Sequence, residues 1–131
     1  MSKAKIAVIE DERSIREMYR MRFEAAGYQV YEAEDGIEGL KVIETNNPDI
    51  VLLDLRMPRL SGKEMLEKMR ATDWGNSVLV IVLTNLSPTE ARLDMRLLGV
   101  QQYIVKAHTT PSQVLQAVNE VLVRHNKLPR Q

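Results

Sequence analysis

Ile50-Val51-Leu52-Leu53-Asp54 is a run of four apolar residues that ends on a carboxylate, with Arg56-Met57-Pro58 and then Ser61-Gly62 close behind. The run is apolar at every position rather than at alternate ones, so it reads as a strand covered on both faces, as in a parallel sheet. Pro58 has no N–H to give to a ladder, so the strand ends within a few residues of Asp54. Asp54 therefore stands at the carboxyl end of a central strand, the edge where open α/β sheets bind their ligands. A carboxylate in that position also serves as a simple turn cap, and the other strand ends decide between the two readings.

Working outward from this strand, short apolar runs alternate with helical patterns along the whole chain. The first strand, Lys5 to Ile9, leads directly into Glu10-Asp11. A helix over Arg13 to Ala26 follows, with Ile15, Tyr19, Phe23 and Ala26 on one face, and Gly27 stops it. The second strand covers Gln29 to Ala33. The second helix is capped by Asp35 with Glu38 three residues on, carries Ile37, Leu40 and either Ile43 or Glu44 on its apolar face, and ends at Asn46-Asn47-Pro48. After the central strand, Ser61 and Glu64 form a capping box for a helix that buries Met65, Leu66 and Met69. A loop over Thr72 to Asn76 holds the only tryptophan, Trp74.

Val78 to Leu83 is the fourth strand, again apolar on both faces, and it leads into Thr84. Ser87-Pro88-Thr89-Glu90 opens a fourth helix that ends at Gly99. Gln102 to Val105 is the fifth strand, ending at Lys106. Thr110-Pro111-Ser112-Gln113 opens a fifth helix that buries Val114 or Leu115, Val118, Val121 and Leu122. Five strands alternating with five helices predict an α/β, doubly wound parallel sheet with helices on both faces. Met18, Met65, Met69 and Met95 fall at helical spacings and read as core filler.

Composition narrows the function. With 131 residues and 44% hydrophobic content the chain supports one domain with a real core. Eighteen basic and 18 acidic residues balance, which argues against a general nucleic-acid or membrane binder. No apolar run reaches the roughly 20 residues of a membrane span. There is no cysteine, which excludes disulfides, thiol catalysis and thiolate metal sites. His108 and His125 are too few and too isolated for a zinc site. The N-terminus leads straight into a strand without a signal-peptide pattern, so a cytoplasmic location is expected.

The residues following the strands are Glu10 and Asp11, Asp54, Thr84 and Lys106. Taken singly, the acids suit a solvated turn, the threonine a strand-end hydroxyl, and the lysine an exposed surface. Taken together, in a doubly wound sheet with strand order 2-1-3-4-5, they converge on one edge. Three crowded carboxylates repel one another unless a cation joins them. An oxygen-only donor set suits a hard divalent cation, most naturally Mg2+. Carboxylates form acyl phosphates, lysine supplies a mobile positive charge and threonine a hydroxyl, which together suit phosphoryl transfer.

At this point the sequence closely resembles the receiver domain of two-component response regulators over about residues 4–125. The resemblance is carried by the acidic pair after the first strand, Asp54 with Met57-Pro58 and Gly62, Thr84, and Lys106. The flavodoxin-like strand order 2-1-3-4-5 rests on this resemblance, because a chemotaxis receiver is itself a reference example of that order.

The resemblance implies that Asp54 accepts a phosphoryl group from a histidine kinase or a phosphotransfer protein. Asp11, Asp54 and the backbone carbonyl of Arg56 would bind Mg2+, with Glu10 acting through water. Thr84 and Lys106 would contact the phosphoryl oxygens, and Tyr103 would be the switch aromatic that follows Thr84. The fourth helix, fifth strand and fifth helix, including Arg92, Leu93, Arg96, Leu97 and Tyr103, would form the surface that controls a partner or an output domain and supports a homodimer. Residues 1–125 would be the receiver and 126–131 a short tail. Such a domain is not a turnover enzyme beyond its own phosphorylation and dephosphorylation.

This chain departs from the family at three places. Ala107 follows the lysine where proline is usual, and Asn85 follows the threonine where a small residue is usual. Arg56 and Leu86 flank the path of attacking water, a pairing that implies slow loss of the phosphoryl group. Three other readings compete. A flavodoxin-like cofactor binder needs a hydroxyl- or glycine-rich phosphate loop after the first strand, where this chain has Glu10-Asp11. A phosphatase with an aspartyl nucleophile needs an Asp-x-Asp pair, and Arg56 stands in the second place. A receiver-like interaction scaffold that works without phosphorylation is the alternative that Asn85 and Ala107 keep open.

Overall fold

Five parallel strands, β1 (Lys5–Ile9), β2 (Gln29–Ala33), β3 (Ile50–Leu53), β4 (Leu79–Thr84) and β5 (Gln102–Val105), form one sheet in the order 2-1-3-4-5. The structure is a computed structural model that describes residues 4–85 and 98–128. Among the described residues the α-helices are α1 (Arg13–Ala25), α2 (Gly36–Asn46), α3 (Gly62–Arg70) and α4 (Pro111–Arg124). The helix expected from Ser87-Pro88-Thr89-Glu90 onward lies outside the described residues, as do Leu86, Arg92, Leu93, Met95, Arg96 and Leu97. Helix α4 is therefore the fifth helical pattern of the sequence.

The continuous apolar strands bury both faces, and alternate residues feed two separate cores. Val8, Leu52, Ile81 and Ile104 face α1 and α4, meeting Tyr19, Phe23, Val114, Val118 and Leu122. Ile9, Leu53, Val80 and Val82 face α2 and α3, meeting Ile43, Met65, Leu66 and Met69. This period-two division is what a parallel sheet covered on both sides requires.

The helix ends follow their local chemistry. Ser61 and Glu64 form a reciprocal capping box, as do Thr110 and Gln113, with Pro111 opening α4. Each box satisfies two N–H groups that the first helical turn leaves without partners. Asp35 caps α2 through Oδ1, which accepts the Glu38 N–H at 2.9 Å. Gly27 follows α1 with φ +96, and Asn47 ends α2 in the left-handed region at φ 47.

Several boundary and face expectations are corrected. Helix α1 ends at Ala25, and Ala26 is exposed at its C-cap rather than part of the buried face. Strand β4 begins at Leu79 and includes Thr84. On α2, Ile37 is 48% exposed, Glu44 is exposed, and the buried side is Gly36, Gly39 and Ile43. The cause is close approach: a Cβ on Gly36 would come within 2.6 Å of the Leu60 carbonyl. Apolar periodicity groups Ile37 with the buried face, but the helix docks closely through its glycines, which leaves Ile37 outside. Of the two alternatives on α4, Val114 is the fully buried one and Leu115 packs partly buried beside it, and Ala117 joins the buried face.

These faces predict a sharp contrast between two isoleucines on one helix. Ile43→Ala is expected to cost about 2–5 kcal/mol by opening a cavity in the second core. Ile37→Ala should stay within about 0.5 kcal/mol of the wild type. Urea unfolding of the two variants checks the assignment, and equal losses would contradict it.

Candidate functional site

The sheet register brings the strand ends to one edge. Ile9 pairs with Leu53 and Leu53 with Val82, so Glu10 and Asp54 follow side by side. The ladder continues one residue past the strands: the Asp54 N–H donates to the Ile9 carbonyl at 3.0 Å, and the Glu10 N–H to the Ala33 carbonyl at 3.0 Å. Thr84 pairs with Val105, which puts Lys106 one step beyond, at the start of a 3-10 turn over Lys106–His108.

Carboxylate oxygens of Glu10, Asp11 and Asp54 lie within 4.8 Å of one another. Glu10 and Asp54 are buried and Asp11 is exposed. The Lys106 ammonium bridges the buried pair, donating to Glu10 Oε1 and, at 3.0 Å, to Asp54 Oδ2. The remaining oxygens are held by backbone: Glu10 Oε2 accepts the Glu12 N–H at 3.0 Å, and Asp54 Oδ1 the Arg56 N–H at 3.2 Å. Both oxygens of each buried acid therefore have a donor, which fixes the two carboxylates in orientation.

Charge is less well balanced than hydrogen bonding. Burial pushes the Glu10 carboxyl up to about 7; the Lys106 hydrogen bond and the Glu12 N–H pull against it, and the Asp54 charge adds to the rise. Burial works to lower the Lys106 ammonium, but the Glu10 hydrogen bond and the neighbouring Asp54 charge outweigh it and hold it above its ordinary value. One ammonium among three carboxylates leaves a surplus of negative charge at a sheet edge. Such an oxygen cluster, with one exposed member giving access from solvent, fits a hard divalent cation.

The other residues anticipated from the sequence lie on or just beyond β3, β4 and β5. Thr84 is fully buried at the end of β4. Tyr103 is partly buried three residues before Lys106, packed on the second core. The side chains of Arg56 and Asn85 are exposed. The Lys106–Ala107 peptide is trans. Gly62 packs beneath the site, where a Cβ would approach the Asp54 carbonyl to 2.5 Å. Glu34, Asp35 and Glu38 also bring carboxylates together. There, however, Asp35 is engaged by its cap and by Arg59 Nη2 at 2.5 Å, in keeping with a capping role.

Three arginines make contacts that the sequence does not announce. Arg16 Nη1 donates to the Glu10 carbonyl at 2.9 Å, and its Nε pairs with Glu32 Oε1 at 3.4 Å. Arg59 ties the β3–α3 loop to the start of α2. Arg70 donates to four carbonyls, those of Gly75, Val78, Leu98 and Gly99, and joins α3 to the segments before β4 and β5. All three are arginines on amphipathic or loop stretches, where a solvated side chain is the ordinary expectation. The only available signal was the spacing of Arg16 and Arg20, one turn apart beside the apolar face of α1.

Residues 6–119 match the family model described as the response regulator receiver domain. The chain is 38% identical to a probable transcriptional regulator, ycf27, of Porphyridium aerugineum, over 97% of this chain and 51% of that protein. It is 35% identical to the response regulator MprA of a Mycobacterium species, over 96% of this chain and 50% of the relative. The chain thus spans about half the length of these curated relatives. Among solved structures, the chemotaxis protein CheY4 of Vibrio cholerae superposes with a TM-score of 0.85 at 27% identity, over 92% of this chain and 100% of that one. The receiver domain of the Francisella response regulator 1452 gives 0.84 at 29% identity, over 94% and 99%. Among the described residues no helix is long and apolar enough to cross a membrane.

The buried Glu10 predicts a specific pH dependence. Its folded value of about 7 lies above the ordinary 4.5, so its stabilising proton is fully bound below about pH 4.5 and lost as the pH rises through about 7. Glu10→Gln removes that loss. Relative to the wild type, the variant should gain about 1–3 kcal/mol between about pH 4.5 and pH 8. Urea unfolding at the two pH values measures this, and a difference that does not change with pH would contradict it.

Proposed function

The chain belongs to the response regulator receiver domain family, and from that premise we propose that it accepts a phosphoryl group on Asp54 in a Mg2+-dependent reaction. The donor is the phosphohistidine of a histidine kinase or a phosphotransfer protein. The observation that carries this reading is the gathering of Glu10, Asp11, Asp54 and Lys106 at the carboxyl edge of the sheet, with Asp54 at the buried mouth of the central strand.

In the proposed reaction an Asp54 carboxylate oxygen attacks phosphorus in line with the histidine nitrogen. A P–O bond forms, the P–N bond breaks with its electron pair left on the imidazole nitrogen, and the ring departs neutral because its other nitrogen already carries a proton. The product is an acyl phosphate on Asp54. Asp11, Asp54 and the Arg56 carbonyl would hold Mg2+, with Glu10 acting through water. Bound there, Mg2+ would supply positive charge to a transfer in which donor and acceptor are both anionic. Lys106 already reaches Asp54 Oδ2 at 3.0 Å, so a small movement of its flexible stem carries the ammonium to a phosphoryl oxygen. The Thr84 hydroxyl is the second donor on that edge. Transfer of this kind asks the protein mainly for position and compensating charge.

The output follows from the same edge. Thr84 drawn toward the phosphoryl group would free space for Tyr103 on β5, biasing the surface that β5 and α4 present. That surface would act on a downstream protein, an output domain or a second copy of the chain. We assign residues 1–125 to the receiver unit and 126–131 to a short tail, in a cytoplasmic protein that does not turn over substrate beyond its own phosphorylation and dephosphorylation.

Incubation with acetyl phosphate or phosphoramidate and Mg2+ tests the reading. The intact mass should rise by about 80 Da, as one acyl phosphate requires, and the rise should vanish in Asp54→Asn or with a chelator. No adduct from small donors or from a phosphorylated kinase would overturn the proposal in favour of a phosphorylation-independent scaffold.

A further inference from the structure

One peptide group joins the two acids that follow β1. The Glu10 carbonyl and the Asp11 N–H belong to the same planar unit, so whatever orients the carbonyl also sets the start of Asp11. That carbonyl lies beyond β1 and accepts Arg16 Nη1 at 2.9 Å. Every other polar group of Glu10 is also engaged: its N–H by Ala33, its carboxylate oxygens by Lys106 and the Glu12 N–H. Asp11 is exposed, and the peptide preceding it is held through the Glu10 carbonyl.

Arg16 is held in turn. Its side chain is 14% exposed, and its Nε faces Glu32 Oε1 at 3.4 Å. Glu32 also pairs with Arg20 at 3.5 Å, one helical turn further along α1. Glu32 is in register with Val8 on β2's neighbour, and Val8 packs in the core beneath α1, so Glu32 emerges on the face that α1 covers. The planar guanidinium can serve the carbonyl and the carboxylate at once, which a lysine ammonium at the end of a flexible stem does less well.

We propose that Arg16, oriented by Glu32, is a positioning residue for the cation site: it locks the Glu10–Asp11 peptide and so presets the Asp11 carboxylate beside Asp54. This rests on the functional reading above. Groups that orient metal ligands from behind without touching the ion commonly change affinity by about 10–100-fold when removed. Arg16 differs from the usual outer partner in acting through backbone rather than through a ligand side chain.

The test is Mg2+ binding to the folded full chain by titration calorimetry, with backbone amide NMR shifts of Asp11 as a second readout. Arg16→Gln should weaken Mg2+ about tenfold or more and move the Asp11 amide signal in the ion-free protein. Glu32→Gln should weaken binding in the same direction by less, and Arg16→Lys should recover part of the loss. Arg13→Gln is the control. It removes one positive charge from the same helix, but Arg13 is 81% exposed and pairs only with Glu17 among the described residues. It should bind Mg2+ within about twofold of the wild type, as expected for a screened surface charge. A merely structural role would lower the melting midpoint of Arg16→Gln and leave the affinity of the folded protein unchanged. That result, or equal weakening by Arg13→Gln, would overturn the inference while leaving the functional reading intact. Absence of Mg2+ binding by the wild type would overturn both.

Discussion

Crowding of like charge at the carboxyl edge of the sheet is the constraint on which the rest of this structure turns. Glu10 and Asp54 are buried side by side with Asp11 at the rim, and a single ammonium, Lys106, bridges the two buried groups. Burying a carboxylate is costly unless it is paired and hydrogen-bonded. Here both oxygens of each buried acid have donors, yet the Glu10 carboxyl is still pushed up to about 7, chiefly by burial. The fold therefore holds together groups that would separate in a free chain, and it does so where a cation would complete the balance.

What supplies the force is the packing behind that edge. The strands feed two cores, one beneath α1 and α4 and one beneath α2 and α3, and these leave little freedom for Ile9, Leu53 or Val82 to shift. Because residues alternate between the cores, a slip of one residue would exchange them, so the register of the strand ends is fixed by the burial of everything upstream. Several contacts then carry that order past the strands. Arg16 takes the Glu10 carbonyl, Arg59 ties the β3–α3 loop to α2, and Gly62 lets α3 start against the Asp54 carbonyl. Arg70 extends the same scheme to the segments leading into β4 and β5.

Much of this was legible in the sequence because it rests on short-range rules. Continuous apolar runs marked the strands, and capping residues marked the helix starts to the residue at Ser61 and Thr110. The chemistry of the strand ends named the cluster that the register then brings together. The strand order itself came with the family resemblance, since hydrophobic pattern does not say which strands are neighbours. Periodicity puts Ile37 on the apolar face because it ranks faces by hydrophobicity, whereas α2 docks by closeness, on Gly36 and Gly39. The carbonyls that Arg16 and Arg70 bind leave no trace in the sequence, because every residue carries one.

The central claim is that the three carboxylates form a cation site held ready by the fold. The most direct measurement is the unfolding midpoint of the chain as MgCl2 is raised at constant ionic strength near neutral pH. A ligand that binds only the folded state stabilises it by RT ln(1 + [L]/Kd). The account predicts a midpoint that climbs steadily with Mg2+ in the wild type and stays flat in Asp11→Asn. A wild-type midpoint that does not respond to Mg2+, or an equal rise in Asp11→Asn, would contradict it.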